Sequence, residues 1–199
     1  VGATGSGKST SLAAMLDYRN SVQTGHILTL EDPVEYIFKS RKSIVNQREI
    51  GTDTKAFWVA LRNALRQAPD CILIGEIRDK ETMAMALAYA QSGHLCLATL
   101  HANNCAESLD RIINMFPLDQ FKQVTLDLSQ YLRAVVAQRL VMGVDSKRVA
   151  AIEIMMNTPH IAELVKRGDV MSIKESIMQS ADNDVRSFDS SLHGLFKQG

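Results

Sequence analysis

The chain has 199 residues, with 22 Lys+Arg against 22 Asp+Glu, so its formal net charge is zero. A hydrophobic content of 46% excludes intrinsic disorder for most of the length. No apolar run approaches the ~20 residues of a membrane helix, and zero net charge excludes coating of nucleic acid by bulk electrostatics, though not a local basic groove. The predicted elements alternate between helix and strand, the grammar of a parallel sheet with helices on both faces. A glycine-rich loop (residues 2–7) opens the chain, and residues 8–20 read as a helix. Residues 26–30 (HILTL) form a short buried strand, and residues 44–49 (IVNQRE) are a further candidate strand. Residues 54–67 have helical apolar spacing, with Phe57, Ala60, Leu61, Ala64 and Leu65 on one face. Residues 71–74 (CILI) are a continuous apolar run, as a central parallel strand should be. Residues 79–91 read as a helix opened by Asp79 and closed by Gly93, and residues 95–100 (LCLATL) as the next strand. Helical patterns follow over 105–116 and 119–137, split by Pro117, then a strand over 148–155. Three short amphipathic helices, punctuated by Gly168 and residues 180–184, close the chain.

Residues 2–9 fit G-x-x-x-x-G-K-[ST]. Glycines let the backbone wrap an anion with its N–H groups inward, and the helix behind adds its positive end. Ala3, Thr4, Gly5, Ser6, Gly7 and Thr10 belong to that cradle. Lys8 is placed to reach the β- and γ-phosphates and Ser9 to ligate Mg²⁺. Because such a loop needs a strand before it, which this chain lacks, the sequence is read as part of a longer protein.

Hydrolysis also needs a carboxylate near the metal and a group that orients water. Glu76 follows the strand 71–74, at the carboxyl end where parallel sheets present ligand-binding groups. Gly75 departs from the usual pattern, which has Asp there. Asp79 reads as the acidic start of the next helix. A second acidic cluster, Glu31-Asp32-Pro33-Val34-Glu35, ends the strand 26–30 and is open to two readings, a solvated loop or a metal-facing one. His94 and His101 bracket the strand 95–100, either as structural residues or as phosphate contacts. Cys71 and Cys96 lie in apolar runs and read as small core residues, and with Cys105 they make an odd number without CxxC spacing, which points to a reducing compartment.

The run 65–79 (LRQAPDCILIGEIRD) resembles the signature of the secretion-type, RecA-like hexameric ATPases of bacterial type II secretion and type IV pili, in which the Gly-Glu strand ending is normal. LEDPVE (30–35) is similar to the Asp box of that family and GHLCLATLHANN (93–104) resembles its His box. With the glycine loop, these motifs stand in family order across nearly the whole chain. The phrases LAAMLDYRN, IVNQREIG, LDRIIN and QRLV are similar to the pilus-retraction branch, the PilT/PilU-type motors. Assembly and secretion ATPases of the family carry a four-cysteine zinc module after the segment matching residues 138–141. Here MGVDSKRVAAIEI follows, with no cysteine after Cys105, so that zinc site cannot form.

The resemblance implies a RecA-like α/β core over residues 1–157 with a C-terminal helical subdomain over 158–199, and a PAS-like domain ahead of them. It implies ATP with Mg²⁺ and no zinc. Lys8 and Ser9 become the phosphate and Mg²⁺ contacts, Glu35 the activator of the attacking water, Glu76 the carboxylate at the metal, and His94 with His101 the His-box pair, His94 as a nucleotide contact and His101 as catalytic. Arg78, Arg111 and Arg139 remain open between phosphate contacts and structural residues. The implied assembly is a cytoplasmic homohexamer, peripheral at the inner membrane, working on a pilus platform protein without inserting into the bilayer or binding nucleic acid. The rival readings are an assembly or secretion ATPase and a RecA-like nucleic-acid translocase, for which the basic run 39–42 (KSRK) is the one compact candidate groove.

Overall fold

The computed structural model describes residues 1–198, with the side chains of Leu65 and Gln198 outside that description. The chain divides into two compact units, one of Ser9–Leu100 and one combining Val1–Lys8 with the chain from His101 onward. No helix among the described residues is long and apolar enough to cross a membrane.

The first unit is built on four parallel strands in the order β2-β1-β3-β4. These are β1 (Gly25–Glu31), β2 (Ser43–Glu49), β3 (Cys71–Ile74) and β4 (Leu95–Ala98). Helix α1 (Lys8–Val22) precedes β1, α2 (Phe57–Ala64) precedes β3, and α3 (Lys80–Gln91) joins β3 to β4. In β3 every residue is buried, which is why its sequence is a continuous apolar run with no alternation. Ile27, Cys71 and Leu73 point to one face and pack with Leu16 of α1, and Leu97 joins them. Leu28, Leu30, Ile72 and Ile74 alternate to the other face and are fully buried too. Each such side chain contributes about 1.5–3 kcal/mol relative to exposure.

Several predicted boundaries shift. The helix predicted over 54–67 is α2 followed by a tight 3-10 turn, Leu65–Gln67, closed by Ala68 in the left-handed region at φ 43°. Its predicted face holds for the buried Ala60, Leu61 and Ala64, and Phe57 is half-buried. The Leu65 side chain lies outside the described residues. The strand predicted over 95–100 stops at Ala98, because Thr99 turns to β3: its hydroxyl donates to the Gly75 carbonyl, and its own carbonyl accepts from Ile77 N at 2.9 Å. Asp79 caps α3, accepting from Thr82 N at 2.7 Å.

In the second unit, α4 (Cys105–Asn114) and α5 (Phe121–Tyr131) lead to a long antiparallel hairpin of β5 (Ala134–Met142) and β6 (Arg148–Met156). The helix predicted to run to residue 137 therefore ends six residues early. Asn157 Nδ2 donates to the Ser129 and Leu132 carbonyls at 2.9 Å each, satisfying the carbonyls left open at the end of α5. The next nine residues pair with β6 instead. Paired β-branched residues, Val135 with Val136, favour the strand. Helices α6 (Pro159–Arg167), α7 (Val170–Gln179) and α8 (Phe188–Gln198) follow as predicted. Thr158 caps α6 and Gly168, at φ 71°, ends it. The segment before α8 is tied to β6, with Arg186 and Ile154 exchanging backbone hydrogen bonds of 3.0 and 2.7 Å.

Gly75 carries a constraint that the sequence pattern alone left unexplained. Its N–H donates to the Leu30 carbonyl at 2.7 Å, extending the β1–β3 pairing one residue past β3. A Cβ there would lie 3.2 Å from both Glu31 Cα and the Leu30 carbonyl oxygen, which are backbone atoms with little freedom to yield. Gly75→Ala is therefore expected to destabilise the protein by about 1–3 kcal/mol, as overpacking does. Urea denaturation checks this, and an unchanged midpoint refutes the close approach.

Candidate functional site

In the second unit the glycine loop stands on β5. Gln138 N donates to the Val1 carbonyl at 3.0 Å. A Cβ on Gly2 would come within 2.6 Å of the Gln138 carbonyl and 2.5 Å of Ser6 Oγ, and one on Gly7 within 2.8 Å of Gln138 Nε2. Gly7 also sits at φ 89°, where a side chain is strained. These two glycines thus answer to packing against Gln138 as well as to the turn. Gln138 is a site residue that the motif did not reveal, since nothing in the loop's own sequence names its support.

Ser6 Oγ is buried and finds no hydrogen-bond partner among the described residues. Lys8 Nζ donates to the Gly2 and Ala3 carbonyls at 2.9 Å each, which holds the ammonium against the loop. Ala3, Thr4 and Gly5 are exposed at its tip. An unsatisfied buried hydroxyl, a lysine ammonium and a glycine-rich turn opening a 15-residue helix are the donor set that a phosphate chain requires. The residues present fit a nucleoside triphosphate.

The first unit gathers carboxylates at the carboxyl edge of its sheet. Glu76 is mostly buried, and its Oε2 accepts from Arg78 Nε at 2.6 Å. The same guanidinium lies 3.6 Å from Asp32 Oδ2, so Arg78 joins the strand-end glutamate to the acidic loop after β1. The hydrogen bond and charge of Glu76 push the arginine pKa up from its ordinary value. Glu31 is engaged by Thr29 Oγ1 at 2.6 Å and Gln47 Nε2 at 3.2 Å. Glu35 is exposed and makes no hydrogen bond or ion pair among the described residues. Its neighbour Tyr36 places its hydroxyl 2.8 Å from Thr10 Oγ1, bringing the Glu35 loop to the first turn of α1 beside Ser9. Among the described residues no group of three or more His, Cys, Asp or Glu forms a metal cage. A nucleotide-borne Mg²⁺ asks for less, one or two protein oxygens beside the phosphates, and Ser9 and Glu76 are of that type.

The two histidines have different surroundings. His94 precedes β4 at the amino edge of the sheet, the end opposite Glu76. Its Nδ1 is 3.2 Å from the Tyr89 carbonyl and its ring meets the Tyr89 ring edge-on at 5.5 Å. Tyr89 is itself fixed by donating to the Leu61 carbonyl at 2.5 Å, and burial pushes its phenol up to about 12. His101 opens a loop held by arginines of the second unit. Arg111 donates to the His101 carbonyl at 2.7 Å, and Arg139 to the Asn103 carbonyl at 3.1 and 2.8 Å while lying over the Phe188 ring at 4.5 Å. Asn104 caps α4 through Glu107 N at 2.7 Å, and buried Glu153 accepts from Cys105 N at 2.7 Å. Arg78, Arg111 and Arg139 thus all have loop-holding partners within the chain.

Residues 1–166 match the family described as type II/IV secretion system protein. The chain is 54% identical over its full length to the type IV pilus ATPase PilU of Pseudomonas aeruginosa, covering 52% of that protein. It is 45% identical to the pilus retraction ATPase PilT of the same organism, again over the full chain and 58% of the relative. The crystal structure of the pilus retraction motor PilT with bound ADP superposes with a TM-score of 0.93 at 45% identity, over all of this chain and 56% of that one. The ATPase DotB of Legionella pneumophila gives 0.89 at 31% identity, over all of this chain and 55% of that one. The chain therefore spans about half the length of the curated relatives it matches. The parallel α/β sheet is that of a RecA-like ATPase core, and the chain belongs to the type II/IV secretion system protein family.

Proposed function

We propose that the protein carrying this chain hydrolyses ATP as the motor of a pilus-retraction hexamer. The observation that carries this is the anion cradle of residues 2–8, with Lys8 held against it and Ser6 Oγ unsatisfied within it. It is supported by full-length similarity to relatives named as pilus ATPases, one of them solved with ADP. Lys8 binds the β- and γ-phosphates, with Ala3, Thr4, Gly5, Ser6, Gly7 and Thr10 around them. Ser9 and Glu76 would hold Mg²⁺, which would supply charge neutralisation to the phosphates. Glu35, exposed on a loop tied to α1, takes the proton of the attacking water. Arg78 keeps Glu76 aimed through its hydrogen bond. His101 faces the nucleotide, whereas His94 orders the start of β4 from the far end of the sheet. Residues 1–157 act as the ATPase core and 158–199 as its helical subdomain. The hexamer works against a platform protein at the inner membrane, and motion between rigid subunits converts hydrolysis into force. In the basic run 39–42, Arg41 pairs with Asp17 at 3.3 Å and Asn20 holds the backbone at residues 39 and 41, which favours a folded loop over a nucleic-acid groove.

Lys8→Ala in the full-length protein should abolish productive ATP binding. Titration calorimetry with a non-hydrolysable analogue checks it, and native affinity with native turnover would sink the cradle. Glu35→Gln and Glu76→Gln keep shape and remove charge, so each should still bind the analogue yet lose about 100-fold or more in kcat. Steady-state turnover beside binding separates the two effects. If Glu35→Gln turns over normally, Glu35 is not the base.

The retraction reading also predicts no structural zinc, against the assembly-ATPase alternative. Burial pushes the Cys71 thiol up to about 11 and Cys96 up to about 12, so both stay protonated and poor as metal ligands at neutral pH. Elemental analysis of chelator-washed protein is the measurement, with stoichiometric zinc the contrary result.

A further inference from the structure

Glu35 raises a physical problem. It lies in the stretch between β1 and β2, exposed and without a side-chain partner among the described residues. A carboxylate that must meet a water molecule in a fixed geometry cannot rely on a freely moving backbone, since misplacement by about 1 Å can cost ~100-fold in rate. Whatever aims it must act on the residues either side.

Those residues are held by the edge strand β2. Its Gln47 and Glu49 stand opposite Thr29 and Glu31 of β1 and, two apart, project to the same face. Glu49 Oε2 accepts from Val34 N at 3.0 Å, immediately before Glu35. Gln47 Nε2 donates to the Tyr36 carbonyl at 2.8 Å, immediately after it. Gln47 Oε1 accepts from Phe38 N at 2.8 Å, and Nε2 also reaches Glu31 Oε1 at 3.2 Å. These partners determine which way the amide points: a backbone N–H only donates and a carbonyl only accepts, so the oxygen must face Phe38 and the nitrogen Tyr36. One side chain therefore ties three parts of the acidic loop to the sheet. The Tyr36 hydroxyl carries the same residue to Thr10.

We propose that Gln47 is a positioning residue for Glu35, fixing the backbone beside it so that the exposed carboxylate is aimed before nucleotide arrives. This rests on the reading of Glu35 as the water activator. Glu49 holds the preceding residue in the same way.

The test uses the full-length protein with Gln47→Met, which keeps length and loses every hydrogen bond, and Gln47→Glu, which keeps shape but sets a carboxylate against Glu31 and the Tyr36 carbonyl. Both should lower kcat by about 10- to 100-fold while leaving analogue affinity unchanged and the protein folded. In a Glu35→Gln background, Gln47→Met should lower the residual rate no further, because the group it aims is already gone. Native kcat in both Gln47 variants overturns the proposal. So does an equal fractional loss with and without Glu35, which means that Gln47 acts elsewhere. Native turnover in Glu35→Gln alone instead removes the reading of Glu35 on which the proposal stands.

Discussion

The parallel register of β1 with β3 is the constraint from which the acidic edge of this chain follows. Leu30 pairs with Ile74, and Gly75 adds one further hydrogen bond to Leu30 beyond the end of β3. That extra bond sets the residue after β3 close against the backbone of Glu31, where a Cβ would be crowded at 3.2 Å. Glycine, at a position where the usual nucleotide-site pattern carries Asp, thus suits the close backbone approach in this sheet. The sheet-edge carboxylate stands one residue on, at Glu76.

Bringing several carboxylates to one sheet edge creates repulsion that must be offset. Arg78 does this for Glu76 and Asp32 together, while Glu31 is occupied by neutral donors, Thr29 and Gln47. Because the arginine is largely exposed, its pairing serves orientation more than stability, since solvent screens exposed charge pairs. Glu35 is left outside this network. It has no ion pair among the described residues, and its loop is restrained through backbone atoms instead.

A similar division of labour holds the loop after β4. Its backbone carbonyls at His101 and Asn103 are gripped by Arg111 and Arg139, and its far end is capped by Asn104 and Glu153. Three of these four holders are charged side chains bonded to backbone. Charge-assisted hydrogen bonds of this kind are shorter and stronger than neutral ones, which suits loops that carry function without secondary structure of their own.

The amino-acid sequence by itself determined the glycine loop, the order of the elements up to β4 and the helix-boundary signals at Asp79, Gly93, Pro117 and Gly168. It also marked the two acidic clusters at the ends of β1 and β3. Each of these is a local property, a period, a run or a spacing within some fifteen residues, so a single stretch of chain carries the whole signal. Tertiary structure decided that residues 134–142 are a strand, because pairing with β6 overrides the helical reading of residues 134–137. It decided that Gly2 and Gly7 answer to Gln138, that Arg78 joins Glu76 to Asp32, that His94 belongs with Tyr89, and that β2 holds the flanks of Glu35. Gln138 and Gln47 act through amide groups that any surface glutamine also has. Only the approach of a distant or neighbouring backbone turns those amides into supports, and that approach leaves no pattern in the chain to read.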